Sequence, residues 1–457
     1  MVKILFWNPF PLTDKDEQKA QKMLKNYLKK KFNYRSEFIN YLKNSSIPYL
    51  LSDKNYLLKY QKYLNKFDQN YYKNIYNENL EIYLNTVKTR GREWSLEFNF
   101  FGLQNTFKLH ILAIEDYLKK NKFTHMFASP LFSSGFDYIF FILAKRLNIK
   151  LIIIGSYFRN KMFYTTNLED FGVFKNSKKL FKPIKNKEIL KHHQIYYMEK
   201  KYFLQNRYGY KVLFFNPLKI FQKNYLLDKI LNYKDSIKSY KFWKQENSRP
   251  FFSKMLPKNY LYFPLHFQPE ASTIALANDY IDQANAIEKL HNKLPKGFKI
   301  ILKEHPAQNH TNFLRSDFFY KRIKNMKNVL FTNVNDGSLK IINNCKAVAT
   351  ITGTAGWEAL KSKKPVITFG LAWYNCLDYA FKWNEKIDIE KICNIRVNQQ
   401  KLEKSIVELT KYMADGLDSL LHRDAFDFTS DFKKEKYNFN KEIPIIAKSI
   451  NKIINNH

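Results

Sequence analysis

The sequence predicts an α/β protein of two domains, each built on a parallel sheet with helices on both faces. At 457 residues the chain exceeds what one ordinary core supports. Its hydrophobic content of 45% is sufficient for globular packing. Short apolar runs alternate with helical stretches, and the short connections between them are typical of parallel sheets.

The second half of the chain shows this alternation most clearly. Tyr260–Phe267 and Phe298–Leu302 are apolar runs separated by a helical stretch, which together predict a βαβ unit. Right-handed crossover brings the ends of both strands to one edge of the sheet, where α/β proteins bind ligands. The expected strands are 260–266, 298–303, 328–332, 347–352 and 365–369, and the expected helices are 274–294, 311–326, 337–344 and 356–362.

The first half repeats the pattern less regularly. The expected strands are Met1–Trp7, Thr124–Ala128 and Lys150–Ile154, the expected helices are Leu109–Lys120 and Tyr138–Leu147, and residues 15–45 and 54–88 show only loose helical periodicity. Candidate loops follow two of the strands, at 129–137 and 155–159. We predict a Rossmann-like domain at 1–170, a helical, basic linker or insertion at 171–256, a second Rossmann-like domain at 257–400, and C-terminal helices at 401–457 that pack back on the domains.

Composition limits the partners and the compartment. The net charge is +36, but only 11 of the 77 basic residues are arginine, the usual reader of bases and phosphates, so no specific nucleic acid is expected. The excess of lysine indicates either solvated faces or attraction to an anionic membrane surface. Cys345, Cys376 and Cys393 are widely spaced, which favours a reduced cytosolic protein with buried thiols. We expect no signal peptide and no transmembrane span.

A glycine-containing loop, Thr352–Glu358, follows the strand predicted at 347–352. Glycines permit a sharp turn and close approach of a ligand, and the next helix begins with N–H groups that favour an anion. Thr352 and Thr354 add hydroxyl groups. The loop either binds a phosphate or carboxylate or is only a turn.

Two further loops carry groups suited to chemistry. His305 lies just past a strand end, before Pro306, where an imidazole can hold a leaving phosphate or protonate it. Lys303 and Glu304 alternate along the strand, so we expect only one of them to face the site. In the other loop, Glu270 either caps the following helix together with Ser272 or aims a carboxylate at a reacting carbon, with Gln268 as its hydrogen-bond partner.

These groups fit a nucleotide-linked donor. The chain has no Walker A sequence and no G-x-G-x-x-G, which argues against P-loop and classical dinucleotide binding. No D-x-D-like pair follows a strand, so a metal-dependent transferase of the single-domain type is disfavoured.

The segments YFPLHFQPEAST, KEHP and TITGTAGWEALKSKKPVITFG resemble the bacterial capsule polysaccharide biosynthesis family, which includes Kdo transferases. The resemblance covers roughly residues 258–375. It implies the GT-B fold, in which two Rossmann-like domains with parallel sheets face a central cleft. The C-terminal domain would hold the nucleotide sugar and the N-terminal domain the acceptor.

The resemblance also implies roles for individual residues. The Gln268-Pro269 and His305-Pro306 pairs match elements that bind the CMP part of a donor, and Glu270-Ala271-Ser272 resembles an Asp-Ala-Ser run of the Kdo transferases. Glu358 would bind a ribose hydroxyl or cap its helix. The expected catalytic residues are Glu270 and His305; the expected donor-binding residues are Gln268, Pro269, Ser272, Lys303, Pro306, Thr352, Gly353, Thr354, Gly356 and Glu358; the acceptor-side candidates are Ser133, Ser134, Asp137 and Arg159, followed by His110 and Glu93.

We therefore expect a glycosyltransferase of capsule or surface polysaccharide synthesis. It would transfer Kdo or a related nonulosonic acid from a CMP-activated donor to a lipid-linked or glycan acceptor, without an obligatory cofactor or metal. The expected location is the cytoplasm, with peripheral association at the inner membrane face. The alternatives are a CDP-alditol-dependent polyol-phosphate transferase of the teichoic-acid type and a non-catalytic basic scaffold of the capsule assembly machinery.

Overall fold

The computed structural model contains two six-stranded, mostly parallel sheets. One lies within the predicted part 257–400, and the other lies in 1–170 but takes one strand, Met413–Asp415, from the part predicted as C-terminal helices. This confirms the α/β class and the presence of two such sheets. The structure describes residues 1–7, 15–39, 51, 54–68, 70–73, 75, 80, 83–84, 100–128, 137–158, 161–183, 255–268, 271–305, 308, 315, 317–332, 336–415 and 439–457.

The strands and helices are numbered in chain order. The strands are β1 Lys3–Trp7, β2 Arg35–Ile39, β3 His125–Ala128, β4 Lys150–Phe158, β5 Lys161–Thr165, β6 Tyr260–Pro264, β7 Lys299–Lys303, β8 Val329–Phe331, β9 Ala347–Thr350, β10 Val366–Thr368, β11 Ala380–Lys382 and β12 Met413–Asp415. The helices are α1 Lys15–Phe32, α2 Lys54–Leu58, α3 Phe100–Asn121, α4 Asp137–Arg146, α5 Ala271–Ile274, α6 Gln283–Asn292, α7 Asp317–Lys324, α8 Ser338–Asn344, α9 Thr354–Lys361, α10 Ile389–Cys393, α11 Gln399–Thr410 and α12 Phe439–Ile454.

The first sheet has the order β2-β1-β3-β4-β5-β12. Strands β1 to β4 are parallel, whereas β5 runs antiparallel to both β4 and β12. Strand β2 falls in the stretch 15–45, for which the sequence indicated only loose helical periodicity. Asn33 adopts a left-handed backbone with φ of 56°, a conformation that asparagine tolerates well and that ends α1 before the strand begins.

The second sheet has the order β8-β7-β6-β9-β10-β11, and all its strands are parallel. Counted from β6, this is the doubly wound order 3-2-1-4-5-6, in which the direction of winding changes between the first and fourth strands. That switch point lies between β6 and β9. The strands predicted in this half are all present, shifted by at most a few residues at their ends.

The single helix predicted at 274–294 is wrong, because the structure divides it. A short helix, α5, is followed by a 3₁₀ turn at Asn278–Tyr280 and then by α6. The Asp282 side chain accepts a hydrogen bond from the Ala284 backbone N–H at 3.0 Å and so starts α6 afresh.

Contacts between residues divide the chain into two compact units. The described parts of residues 1–194 and 403–457 form the unit of the first sheet, so β12 and α12 complete a unit that the N-terminus begins. Most of the described part of 255–402 forms the unit of the second sheet. Among the described residues, no helix combines the length and apolar character needed to cross a membrane.

Candidate functional site

Three neighbouring strands of the second sheet end in polar residues on one edge. Strand β6 lies between β7 and β9, and Pro264 is in register with Lys303. The Leu265 backbone N–H continues this pairing by donating to the Lys303 carbonyl at 2.9 Å. The segments that follow the three strands therefore meet at the switch point of the sheet, as the βαβ pattern predicts.

His266, which the sequence did not single out, connects these segments. Its Nε2 atom accepts hydrogen bonds from the Thr350 hydroxyl at 3.1 Å and from the Thr352 backbone N–H at 3.3 Å. Burial, together with the nearby His305 and Arg315, lowers the pKa of His266 to about 3. The imidazole is therefore neutral and carries its proton on Nδ1, because Nε2 acts as an acceptor.

The two glycines of the 352–358 loop make room for protein side chains. A Cβ atom at Gly353 would lie 2.8 Å from Thr350 Oγ1 and 3.1 Å from the His266 ring, and one at Gly356 would overlap the Tyr374 hydroxyl. The Tyr374 hydroxyl donates to the Gly353 carbonyl at 2.6 Å. The geometry thus explains both glycines by close packing, whereas the sequence suggested close approach of a ligand.

The N-terminus of α9 remains the anion-favouring element of this loop. Gly353 caps the helix without a side-chain hydrogen bond, and its N–H donates to Thr350 Oγ1 at 3.2 Å. Thr354 is exposed and Thr352 is half-buried, with its hydroxyl 3.4 Å from the Ser272 carbonyl. The Gly356 N–H donates to the Gly353 carbonyl at 3.1 Å. The N–H groups at the very start of a helix have no acceptor within it and so favour a phosphate.

A buried ion pair that the sequence did not predict ties the 265–268 segment to β7. Arg315 Nε donates to Glu304 Oε2 at 2.9 Å, and the Tyr320 hydroxyl donates to the same oxygen at 2.9 Å. Arg315 Nη1 donates to Gln268 Oε1 at 2.8 Å. The Gln268 amide group donates to the Ile281 carbonyl. Gln268, expected at the donor, therefore uses its side chain to anchor the loop.

His305 lies beside this ion pair and is half-buried. Burial lowers the pKa of His305 to about 4, the Glu304 carboxylate opposes the shift, and the Arg315 and Lys303 cations add to it. The imidazole is neutral near pH 7. Its ring centroid lies 5.9 Å from that of Phe267. An arriving phosphate would favour the protonated form, since an opposite charge raises the pKa of an imidazole.

Lys303 and Glu358 lie buried on the other face of the sheet edge. Lys303 Nζ donates to Ser338 Oγ at 2.8 Å, and burial lowers the pKa of Lys303, which the Asp336 and Glu358 carboxylates oppose. Glu358 is 4% exposed, and neither of its carboxylate oxygens has a hydrogen-bond partner within the part of the chain that the structure describes. Burial raises the pKa of Glu358 to about 8, against the opposing charges of Lys361 and Lys303.

A buried carboxyl group without hydrogen bonds is uncommon in folded proteins and marks a candidate functional residue. Among the residues expected at the donor, Glu358 is the one with this property. The resemblance to the capsule family suggested either a ribose contact or a helix cap for it. Its place in the second turn of α9, rather than at the helix start, argues against the cap.

Several expected site residues fall outside the described part of the chain. These are Ser133, Ser134, Arg159, Pro269, Glu270, Pro306 and Glu93. Their roles stay predictions.

The described acceptor-side candidates are held by the fold. Asp137 is buried at the start of α4, where its Oδ1 accepts from Trp7 Nε1 at 3.1 Å. His110 is buried between the Tyr83 hydroxyl, 3.1 Å from Nδ1, and the Leu51 carbonyl, 2.9 Å from Nε2. Burial lowers the pKa of His110 to about 4.

The cysteines and the acidic groups show no metal site within the described residues. All three cysteines are free, and burial raises the pKa of each thiol to about 12. No group of three or more His, Cys, Asp or Glu side chains in the described ranges is arranged to hold a metal ion.

A doubly wound sheet with polar strand ends at its switch point is the arrangement at which open α/β proteins bind ligands. Residues 186–381 match the family described as "Capsule polysaccharide biosynthesis protein". This match contains the segments that carry the resemblance and confirms it. No curated protein matches the chain.

Solved structures provide weaker comparisons. The Thermosulfurimonas dismutans KpsC β-Kdo 2,7 transferase is 13% identical, with 74% of this chain and 89% of that chain covered and a TM-score of 0.32. The KpsC β-Kdo 2,4 transferase of the same organism is 12% identical, with coverages of 64% and 79% and a TM-score of 0.28. The UDP-GlcNAc 2-epimerase of Methanocaldococcus jannaschii is 14% identical, with coverages of 90% and 98% and a TM-score of 0.28.

Proposed function

We propose that the chain is a glycosyltransferase of capsule or surface polysaccharide synthesis that takes an acidic sugar, Kdo or a related nonulosonic acid, from a CMP-activated donor. The observation that carries the proposal is the meeting of three strand ends at the switch point of the second sheet. That edge combines an anion-favouring helix start, the neutral imidazole of His305 and the buried carboxyl group of Glu358. The capsule-family match over residues 186–381 supports the same assignment.

The reaction needs a stabilised leaving group and an acceptor hydroxyl. The bond between the anomeric carbon and the phosphate oxygen breaks, and its electron pair leaves with CMP. The first turn of α9 and the imidazole of His305 would stabilise the negative charge of that phosphate. Glu270 would act on the anomeric carbon either as an electrostatic stabiliser or as a nucleophile, in which case the acceptor oxygen breaks the resulting glycosyl ester and frees the carboxylate. In both cases the acceptor oxygen forms the new bond and its proton passes to solvent water.

Nucleotide release from two donors tests the proposal. The protein is incubated with CMP-Kdo and, separately, with CDP-glycerol, and the released CMP is measured. We expect release from CMP-Kdo. Release from CDP-glycerol alone would favour a polyol-phosphate transferase of the teichoic-acid type, and release from neither would contradict both enzymatic assignments and favour a scaffold.

A histidine pair provides a matched control for this experiment. His305→Ala is expected to lower kcat about a hundredfold, because it removes an imidazole that stabilises the charge of the leaving phosphate, while thermal unfolding is unchanged. His291 lies in the last turn of α6, the helix that returns the chain from the end of β6 to the start of β7, away from the candidate site. His291→Ala should therefore retain wild-type turnover. Equal turnover in the two variants would remove His305 from the mechanism.

A further inference from the structure

The described residues between 54 and 73 form an exposed basic and aromatic surface in the first unit, called here the 54–73 surface. This stretch of sequence contains five lysines, six aromatic residues and one aspartate, without arginine. It includes α2 and a 3₁₀ helix at Gln61–Lys66 in which no residue is buried. Because the 3₁₀ helix at the centre of this segment buries no side chain, packing in the core does not explain why the segment is rich in aromatic residues.

Only the inner side of the 54–73 surface contacts the rest of the unit. Leu57 and Tyr72 are buried. The Tyr60 hydroxyl donates to Asp116 of α3 at 2.9 Å, and the Tyr72 hydroxyl donates to Glu115 of α3. These contacts hold the residues on both sides of the 3₁₀ helix against α3.

The outer side combines apolar groups with lysines. Leu58 and Tyr63 are 39% and 43% exposed, and they are two of the seven large hydrophobic side chains exposed in the described ranges. The side chains of Lys59, Lys62, Lys66 and Lys73 are exposed among them. Tyr71 belongs to the inner side, because its hydroxyl donates to Glu115 at 3.0 Å and the Arg146 guanidinium lies 3.4 Å from the centre of its ring. Lys62 Nζ lies 5.1 Å from the centre of the Tyr63 ring, so charge and ring occupy the same place on the surface.

We propose that the 54–73 surface binds an anionic lipid bilayer. Exposed tyrosine and leucine side chains suit the boundary between lipid headgroups and acyl chains, where tyrosine is enriched. Lysine stems lie along apolar surface while their ammonium groups reach the phosphates, and the anionic leaflet attracts them. Nucleic acid is the less favoured partner, because the surface lacks the arginine forks that recognise phosphates and bases in pairs.

Vesicle co-sedimentation of the full chain tests this inference without any assay of activity. We expect binding to vesicles of phosphatidylcholine with phosphatidylglycerol and little binding to phosphatidylcholine alone. The triple variant Lys59→Glu/Lys62→Glu/Lys66→Glu should bind the anionic vesicles at least about tenfold more weakly, because each lysine contributes to attraction by the charged leaflet. Failure of the wild-type protein to bind these vesicles would overturn the inference.

A second triple variant separates this surface from the general positive charge of the protein. Lys327→Glu/Lys340→Glu/Lys386→Glu makes the same change in net charge at exposed positions of the second unit, and it should retain wild-type binding. Equal weakening by the two triple variants would overturn the inference. Tighter binding of single-stranded or duplex DNA than of vesicles, lost in the first variant only, would do so as well.

The apolar contribution has its own variant. Leu58→Ser/Tyr63→Ser removes exposed side chains and should leave thermal unfolding unchanged. It is expected to abolish the part of the vesicle binding that persists at high salt, where attraction between charges is screened. Salt-resistant binding that is unaffected by this variant would show that the 54–73 surface does not enter the bilayer boundary.

Discussion

Glu358 is buried without a hydrogen-bond partner among the described residues, and this placement lowers stability at neutral pH. Glutamate in an unfolded chain has a pKa of about 4.3, whereas burial raises the pKa of Glu358 to about 8. The folded state therefore holds the proton more tightly. The contribution of Glu358 to the free energy of unfolding is therefore most favourable below about pH 4, and it falls as the pH rises towards 8.

Glu358→Gln is expected to stabilise the protein and weaken its binding of nucleotide. The neutral amide avoids ionisation in a buried place, so the free energy of unfolding should rise by on the order of 3 kcal/mol near pH 8 and by much less near pH 5. Urea unfolding at the two pH values measures this. Calorimetric titration with CMP supplies the second readout, and unchanged affinity would show that Glu358 does not contact the donor.

Gly353→Ala is expected to lower the free energy of unfolding by about 1–3 kcal/mol. The new Cβ would press against Thr350 Oγ1 and the His266 ring and so displace the turn before α9. Gly337→Ala is the matched control, because no atom lies within 4 Å of its added Cβ. Urea unfolding of both variants checks this, and equal costs would mean that the packing around Gly353 is not the cause.

The sequence could identify His305 because its position after a strand and before a proline is visible in the printed order of residues. It could not identify Arg315, whose contacts with Glu304 and Gln268 join positions 11 and 47 residues apart. His266 was missed for the same reason. Its imidazole hydrogen-bonds to Thr350 and Thr352, and these residues come close to His266 only because β6 pairs with β9.

At the scale of elements, periodicity identified strands well and ends of helices poorly. The inner strands β6, β9 and β10 are almost entirely buried, so each appears in the sequence as a continuous apolar run, whereas the edge strand β11 is partly exposed and was not predicted. The division of the expected helix at 274–294 depends on the Asp282 cap, a local signal that the overall apolar pattern concealed. Strand β12 has only three residues and pairs at an edge, which leaves no pattern to recognise.

The ion pair between Arg315 and Glu304 links the end of β7 to the segment after β6. Arg315→Ala is expected to lower the free energy of unfolding by about 3–5 kcal/mol, because it leaves the Glu304 carboxylate buried without its partner. Arg322→Ala removes a partly exposed arginine from Glu288 and Asp282 and should cost about 1 kcal/mol. Urea unfolding compares the two variants.

A double variant distinguishes loss of the charge pair from loss of packing. Adding Glu304→Gln to Arg315→Ala should recover part of the lost stability, since the uncompensated charge is removed with it. If the double variant is instead less stable than Arg315→Ala alone, the unpaired charge of Glu304 is not the cause of the loss. The Glu304 carboxylate would then still be stabilised by its hydrogen bonds from Tyr320 and the His305 N–H.

At the scale of the whole molecule, the two ends of the chain build one unit. Ile446 and Ile450 of α12 lie in one core cluster with Leu24 and Leu28 of α1. The sequence indicated a C-terminal helix that packs on a domain surface but not which surface. A contact between residues more than 400 positions apart leaves no trace in local periodicity.

The packing of α12 against α1 predicts that a substitution in α12 destabilises the first sheet. Ile450→Ala is expected to lower the free energy of unfolding of the first unit by about 2–5 kcal/mol, because Ile450 is fully buried in that cluster. Hydrogen exchange should quicken in Lys3–Trp7 and remain slow in Tyr260–Pro264. Lys448→Ala, at an exposed position of the same helix, should change neither. If exchange in Tyr260–Pro264 quickened equally, the two sheets would unfold together, and α12 would stabilise the whole chain instead of the unit that it completes.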